Sequence, residues 1–308
     1  MIENTPNNLA ITVDIEDWYH IPSVCGSPFS VYKDVDVFFE NWEGRYDYLT
    51  EPTHRVLKLL DKYNIKATFF VVADIARNYP GLIESIVEAG HEIACHGLHH
   101  ECIIDPKTKN TLMEQKTFEK KTRAAKSILE KLAGTSVIGY RAPNAFIAGW
   151  MIDRLEKMGF LYDSSVSVNS LYNKTDSLLT DVGSSPYFPV KTELVPSHDV
   201  REIIECPFAY YDIGIKIPAS GGPMLRFLGE TVIYRGLIQS LRRGTTIFYF
   251  HPIDISYEKF PAVGNNRPFY WLIKGRIVEN RIEKILQKTA NIPKVMLRDV
   301  IYSSQSGR

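Results

Sequence analysis

The sequence has no excess of charge and no long apolar run, and these absences exclude two broad classes of protein. Lysine plus arginine and aspartate plus glutamate both number 36, which gives a formal net charge of zero over 308 residues. Proteins that bind nucleic acid usually carry a basic surface, so we predict no nucleic-acid partner. No segment approaches the roughly 18 uninterrupted apolar residues of a membrane-spanning helix, so we also predict no transmembrane segment.

Cysteine is scarce, and its spacing argues against a disulfide-stabilised secreted protein. The chain has 4 cysteines, at positions 25, 95, 102 and 206, and no C-x-x-C pair. Their spacing suggests no disulfide framework. The N-terminal stretch MIENTPNNLAITVDIEDW lacks the basic and apolar regions of a secretory leader. These features predict a cytoplasmic protein with reduced thiols.

The sequence also lacks the G-x-S-x-G turn on which α/β-hydrolases place their nucleophile, and this argues against a serine hydrolase. Ser197, His198 and Asp199 have the side chains of a catalytic triad. They are consecutive, however, and this arrangement is typical of a polar loop.

Histidine, by contrast, is concentrated in one stretch. GHEIACHGLHH at 90–100 holds four of the chain's 8 histidines. His96 and His100 are four residues apart, and on a helical turn this spacing puts both imidazoles on one face, where they can reach one metal ion. The alternative is a polar loop that is merely rich in histidine.

Apolar runs alternate with amphipathic segments, which is the pattern of an α/β fold with a largely parallel sheet, either open or closed into a barrel. The predicted strands are Leu9–Val13, Ala67–Val72, Glu92–Cys95, Ser136–Tyr140 and Thr245–Phe250. The predicted helices cover about 53–63, 80–90, 107–132, 149–158, 224–243 and 276–289. Residues 18–44 are predicted to form a long loop.

Titratable side chains follow several of these strands, at the end where the chemistry of α/β folds is usually placed. They are Asp14, Glu16 and Asp17 after the first strand, then His96, His100, Arg141 and His251. Each has an ordinary explanation as a turn cap, a packed core side chain or a surface ion pair. Together they are the parts of a metal-dependent hydrolase: a carboxylate and two imidazoles as ligands, with a second carboxylate and another histidine as base and acid.

Five motifs, in this order, give the chain a resemblance to the polysaccharide deacetylase family, which shares the NodB homology domain of carbohydrate esterase family 4. They are TVDIED at 12–17, HGLHH at 96–100, GYRAP at 139–143, YDSS at 162–165 and FYFHP at 248–252. The resemblance extends from Ile11 to Asp254 and implies a distorted (β/α) barrel of the NodB type. The sequence VDIEDWYH further resembles a subgroup found near polysaccharide and lipopolysaccharide export loci.

The resemblance also implies roles for individual residues. Asp14 would be the catalytic base and His251 the catalytic acid, supported by Arg141 and Asp163. Glu16, His96 and His100 would hold a divalent metal ion, with zinc favoured.

The chain departs from the family pattern at three places, one of which is Gly97, where a serine or threonine is usual. The family commonly has two adjacent aspartates, where this chain has Asp14-Ile15-Glu16-Asp17. Residues i and i+2 of a strand share a face, so Glu16 is the predicted carboxylate ligand and Asp17 the less favoured one. Asn144 follows Pro143 where an aromatic residue is frequent, which predicts a different substrate wall.

The predicted function is removal of an N-acetyl or other N-acyl group from a sugar, in O-antigen or polysaccharide biosynthesis. A cytoplasmic enzyme would act on a nucleotide-linked or lipid-linked sugar, or on an oligosaccharide. Two alternatives remain open: an amidase for an N-formyl or non-sugar amide, and a catalytically silent carbohydrate-binding relative. We expect residues 1–308 to form one domain, with an irregular insertion at about 171–227 and a C-terminal extension at about 255–308. The sequence predicts no oligomeric state.

Overall fold

A parallel β-sheet, curled into an incomplete barrel, forms the centre of the computed structural model, which describes residues 7–45, 47–179, 182–263 and 272–306. Its strands are β1 (Leu9–Ile15), β2 (Thr68–Val71), β3 (Glu92–Cys95), β4 (Gly139–Tyr140), β5 (Tyr162–Asp163), β6 (Ile204–Glu205), β9 (Thr246–Phe250) and β10 (Lys294–Val295). The strands β7 (Tyr210–Asp212) and β8 (Lys216–Pro218) form a separate antiparallel hairpin.

The helices lie between these strands and cover the outside of the sheet. They are α1 (Val35–Asn41), α2 (Thr50–Lys62), α3 (Ile75–Asn78), α4 (Leu82–Glu88), α5 (Gln115–Ala133), α6 (Gly149–Lys157), α7 (Pro223–Leu241), α8 (Pro252–Ile255), α9 (Arg276–Lys288) and α10 (Leu297–Ser306).

The strands run in the order β9-β1-β2-β3-β4-β5-β6, and β10 pairs with the first two residues of β1. All of these pairs are parallel, so the carboxyl ends of the strands meet at one rim. In the described part of the chain no ladder joins β6 to β9, so the barrel is open between them. The predicted α/β fold with a distorted barrel is confirmed.

The two faces of β1 show how the sequence places polar groups inside the barrel. Leu9, Ile11, Val13 and Ile15 belong to the larger hydrophobic cluster, whereas Ala10 packs with interior side chains of neighbouring strands. Because the side-chain period of a strand is two, Thr12 and Asp14 share the inner face with Ala10. Glu16 continues that face beyond the end of the strand.

The opposite end of the barrel is closed. Glu92 accepts hydrogen bonds from the Thr68 hydroxyl at 2.5 Å and the Tyr162 hydroxyl at 2.9 Å. The backbone amide of Leu297, at the start of α10, donates to the Thr68 hydroxyl at 2.9 Å. These side chains fill the interior at the amino ends of the strands, opposite the rim that carries Asp14.

Several predicted elements differ from the structure in their bounds; the strand predicted at Ser136–Tyr140, for example, covers only Gly139–Tyr140. The loop predicted at 18–44 contains a 3-10 turn at Trp18–His20 and the helix α1. The helix predicted from about 107 begins only at Gln115, because the Asp105 carboxylate accepts the amides of Lys107 and Thr108 and holds a turn there. The helix α2 begins at Thr50 rather than at about residue 53 as predicted.

All four cysteines are free and buried, and burial raises the pKa of the Cys95 thiol to about 12. We therefore expect the native protein to react slowly with a thiol reagent such as Ellman's reagent, and all four thiols to react once the chain is unfolded. Rapid reaction of two or more thiols in the native protein would contradict this packing.

Among the described residues, no helix is both long and apolar enough to cross a membrane.

Candidate active site

Three side chains at the open rim of the barrel bring metal-ligating atoms together. The donor atoms of Glu16, His96 and His100 lie within 4.8 Å of one another, and all three residues are buried. The closest pair is His100 Nε2 and Glu16 Oε2, at 2.6 Å. This group joins the end of β1 to the segment that follows β3.

The segment after β3 is a loop, so the helical turn predicted for His96 and His100 is wrong. Gly97 has a φ of +84° and His100 a φ of +58°, and these two left-handed residues reverse the chain. Gly97 suits its position, because a Cβ there would lie 3.3 Å from Pro143. The backbone reversal brings both rings to Glu16 without a helical face.

Hydrogen bonds fix both imidazole rings in the form that binds a metal. His96 Nδ1 donates to the carbonyl of Arg141 at 2.8 Å, and His100 Nδ1 donates to the carbonyl of His20 at 2.9 Å. A carbonyl only accepts, so each Nδ1 carries the proton and, in the neutral ring, leaves Nε2 with a lone pair. Backbone partners of this kind orient the histidine ligands of metal sites, so the residues present fit a divalent ion.

The charges of Glu16 and His96 agree with this arrangement, whereas at His100 burial is outweighed by the carboxylate of Glu16, which raises the pKa of the imidazole. Burial by itself would raise the pKa of Glu16, but His100 and His251 outweigh it and hold that pKa well below its usual range. Burial lowers the pKa of His96 to about 4. An ionised carboxylate and a neutral imidazole are the forms that bind metal.

Asp17, the less favoured ligand, is not brought to this group. Its carboxylate accepts the backbone amide of Trp18 at 2.7 Å and the hydroxyl of Tyr79. Burial raises the pKa of Asp17 to about 7, against these hydrogen bonds. The alternation of β1 ends in the 3-10 turn that Asp17 caps, so Asp17 packs into the structure beside α3 instead of facing the rim.

Asp14 is held by a buried arginine from the end of β4. Arg141 Nη1 donates to Asp14 Oδ1 at 2.6 Å and to the Thr12 hydroxyl at 3.0 Å. Its other nitrogens bond the carbonyl and the hydroxyl of Ser164, at 2.9 and 2.8 Å. Only 1% of Arg141 is exposed, so the guanidinium fixes the orientation of the Asp14 carboxylate.

Asp163 supports the Arg141 loop and does not contact His251. Its carboxylate accepts the hydroxyl and the amide of Ser165, at 2.8 and 3.0 Å. The Ser165 hydroxyl in turn accepts the amide of Ala142 at 2.8 Å. The predicted link from Asp163 to Arg141 is thus indirect, through Ser165, and the predicted link to His251 is not observed.

The partner of His251 is instead Asp254, which the sequence reasoning missed. His251 Nδ1 lies 3.0 Å from Asp254 Oδ2, and the buried Arg226 pairs with the other oxygen of that carboxylate. On its opposite side, His251 Nε2 lies 3.3 Å from Glu16 Oε1 and 3.9 Å from Asp14 Oδ2. The spacing His-Pro-x-Asp at the start of α8 is the signal that could have indicated Asp254, since it matches a helix capping box.

These groups line one cavity of about 350 Å³. Asp14, Glu16, His96, His100, Arg141 and His251 form its floor. The segment between β5 and α7 supplies walls, including Lys174 and Phe208, and α7 supplies Met224 and Arg226. A cavity of this size suits a sugar-sized ligand.

The other histidines of the 90–100 stretch lie outside the cavity lining. His91 Nδ1 accepts the amide of Ala67 at 3.1 Å, before the start of β2. His99 Nδ1 lies 3.1 Å from Asp74, and His20 Nε2 lies 2.9 Å from the same carboxylate. The backbone carbonyl of His20 also accepts the hydrogen bond from His100 Nδ1. Asp74 therefore holds both His99 and the residue that orients His100.

A model of the polysaccharide deacetylase family matches residues 39–162, which include the ligand loop, the Arg141 loop and β5. This part of the chain carries a polysaccharide deacetylase domain. Curated proteins are also similar to this chain: a peptidoglycan deacetylase-like protein of Gibberella zeae is 32% identical over 165 residues, which is 51% of this chain and 46% of that protein. The peptidoglycan deacetylase of Helicobacter pylori is 31% identical over 115 residues, 37% of each chain. This chain thus spans less than half of the length of either curated relative.

Two further findings bear on the remainder of the chain. A domain of unknown function (DUF3473) matches residues 176–292, which carry Phe208, Arg226, His251 and Asp254. The structure of a Mycobacterium smegmatis protein assigned to the polysaccharide deacetylases superposes with a TM-score of 0.62 at 20% identity, covering 97% of this chain and 90% of that one. The predicted NodB-type barrel is therefore confirmed.

Proposed function

We propose that this chain is a metal-dependent hydrolase that removes an N-acetyl or related N-acyl group from a sugar. The observation that carries the proposal is the convergence of three groups on one cavity: the Glu16, His96 and His100 ligand set, the Asp14–Arg141 pair and the His251–Asp254 pair. The two pairs add the proton-transfer groups Asp14 and His251 beside the ligand set.

Zinc is the ion we propose, since two imidazoles and one carboxylate, with positions left for water and substrate, are a ligand set that zinc prefers. A divalent ion held there would supply Lewis-acid polarisation of the amide carbonyl and a more acidic water.

Asp14 is the proposed base. It takes a proton from the attacking water while the new C–O bond forms at the acyl carbon. Arg141 binds one carboxylate oxygen of Asp14, which leaves Oδ2 directed toward His251 and the ligand set. Arg141 is therefore a positioning residue, and Asp163 supports its loop through Ser165 and the amide of Ala142.

His251 is the proposed acid. Its Nε2 faces Glu16 and Asp14, so a proton held there lies at the centre of the site and can pass to the sugar nitrogen as the C–N bond breaks. Asp254 holds Nδ1 and so directs Nε2 into the site, while Arg226 fixes Asp254. Burial lowers the pKa of His251, against the attraction of Glu16 and Asp14. The products are the free carboxylate and the amino sugar.

Replacement of Asp254 by asparagine should lower kcat for amide hydrolysis by about tenfold to a hundredfold, because the acid loses its carboxylate partner. Hydrolysis of 4-nitrophenyl acetate should fall much less, because its phenolate leaves without a proton. Steady-state kinetics on both substrates measures the difference. Equal losses on amide and ester would show that Asp254 serves only the fold, and Asp299→Asn, on α10, is the control.

The finer description of the substrate is also a proposal. One relative named above is a peptidoglycan deacetylase and the other is a peptidoglycan deacetylase-like protein, which favours an N-acetylated glycan. We propose a cytoplasmic reaction on a nucleotide-linked or lipid-linked sugar, or on an oligosaccharide, within O-antigen or polysaccharide biosynthesis. Four buried free thiols support a reducing compartment.

We further propose that residues 1–308 form one domain, with an insertion at about 171–227 and an extension at about 255–308. The reason is that the two matched regions, residues 39–162 and 176–292, line the same cavity.

The test is a screen of the zinc-loaded protein against N-acetylated sugars, N-formyl sugars and a non-sugar ureide. Mass spectrometry would follow the loss of the acyl mass, and a fluorescent amine reagent would follow the free amine. Loss of acetyl from a sugar is the expected result. Turnover of only the formyl or ureide compounds would favour the related amidase, and sugar binding without metal or turnover would favour a silent carbohydrate-binding relative.

A further inference from the structure

Two lysines flank one aromatic ring at the wall of the cavity. Lys174 lines the cavity from the inserted segment, and its Nζ lies 5.5 Å from the ring centre of Phe146. Lys109 approaches the same ring from the loop before α5, with its Nζ at 5.4 Å. That Nζ also lies 4.3 Å from the ring centre of Tyr172, another residue of the cavity wall.

Neither lysine has a carboxylate partner within the described ranges of the chain. Lys174 Nζ donates to the carbonyl of Asn144 at 2.9 Å, and Lys109 Nζ donates to the carbonyl of Pro106 and lies 3.2 Å from the Tyr172 hydroxyl. The arginines of the cavity differ, because Arg141 pairs with Asp14 and Arg226 with Asp254. Lys174 and Lys109 therefore carry positive charge that no carboxylate of the described residues pairs with.

The absence of a carboxylate partner destabilises the charged form of Lys174. Burial lowers its pKa to about 8, since an ammonium group removed from water is destabilised unless an anion faces it. The apolar surroundings that impose this cost also strengthen the attraction to an entering anion. Asn144 has a left-handed backbone, with a φ of +58°, and its carbonyl is the one that accepts from Lys174.

We propose that Lys174 and Lys109 form a subsite for an anionic oxygen group, a phosphate or a carboxylate, carried by the sugar substrate. This inference rests on the proposed function and narrows it: the enzyme acts on an acidic sugar or a sugar phosphate in preference to a neutral N-acetylated oligomer. Phe146 and Tyr172 provide flat apolar faces beside the charge, as sugar rings require.

The experiment compares three substrates with the zinc-loaded protein. Uridine diphosphate N-acetylglucosamine presents phosphate, a glucuronate–N-acetylglucosamine disaccharide presents carboxylate, and N,N′-diacetylchitobiose is neutral. The ratio of kcat/KM between the better anionic substrate and the neutral one should be about tenfold or more, the size of a charge-assisted hydrogen bond. Whichever anionic substrate shows the preference identifies the source of the charge.

Lys174→Met should lower that ratio about tenfold, mainly through KM, and the double variant with Lys109→Met should lower it further. Lys191→Met, an exposed lysine of the same segment, is the matched control and should leave the ratio unchanged. An equal preference for neutral and anionic substrates in the wild type, or an unchanged ratio in Lys174→Met, would overturn the subsite while leaving the deacetylase proposal intact.

A binding measurement separates failure of the subsite from failure of the proposed function. Titration calorimetry with uridine diphosphate and with glucuronate should show affinity about tenfold weaker for Lys174→Met than for wild type. Release of no acyl group from any substrate, together with this loss of affinity, would reject the function but keep the anion subsite. Equal affinity of both proteins for both anions would reject the subsite.

Discussion

Asparagine in place of Asp14 is expected to lower the turnover of an N-acetylated sugar by about two to four orders of magnitude, while the bound metal stays. The side chains have the same shape, so Arg141 can still bind the amide oxygen, but the amide cannot accept the proton of the attacking water. Asp14 is not one of the three grouped ligands, which is why the metal should remain. Amine release and zinc content, measured on the same sample, test both halves of the expectation.

A matched control for this variant is Asp61→Asn, which changes an exposed aspartate on α2. It should leave the rate of amine release and the zinc content unchanged. Full activity of Asp14→Asn would refute the role of Asp14 as base. Loss of zinc in that variant would instead make Asp14 a ligand.

The second large effect is expected when a ligand is removed. His96→Ala should weaken zinc binding by more than about 100-fold, because even the loss of an outer-shell partner reaches that size. Its ring is fixed by the carbonyl of Arg141, and it supplies one of the three grouped ligand atoms. Activity should fall with metal content and recover in part at high zinc concentration. Zinc titration against a competing chelator, followed by the assay, gives both quantities.

The controls for His96→Ala come from the same histidine-rich stretch. His91 and His99 bond Ala67 and Asp74, so His91→Ala and His99→Ala should keep nearly full metal content. His91→Ala leaves the buried amide of Ala67 without its acceptor, and we expect a loss of about 1–3 kcal/mol in the free energy of unfolding. A large loss of metal in either control would place the ligands elsewhere.

The features that the sequence could predict are those encoded locally. The apolar runs before Asp14, His96, Arg141 and His251 are strands or strand ends, and parallel pairing brings their carboxyl ends to one rim. The period of a strand also separated Glu16 from Asp17, since Asp14 and Glu16 share a face. No long-range information was needed for either step.

The features that it could not predict depend on backbone conformation or on distant contacts. The His96–His100 pair meets through two left-handed residues, and the spacing of four suggested a helix because that conformation is not visible in the pattern. The contact of Asp254 with Arg226 joins α8 to α7, which the sequence separates by the strand β9. Lys174 reaches the cavity from an irregular segment, where no periodicity indicates the direction of a side chain.

The central claim is that Glu16, His96 and His100 hold one divalent ion. Anomalous diffraction from a crystal grown with zinc, measured on both sides of the zinc edge, tests it most directly. The account predicts one strong peak among the Nε2 atoms of the two histidines and the carboxylate of Glu16. No peak there at full zinc occupancy of the protein, or a peak beside Asp17 or His91 instead, would contradict it.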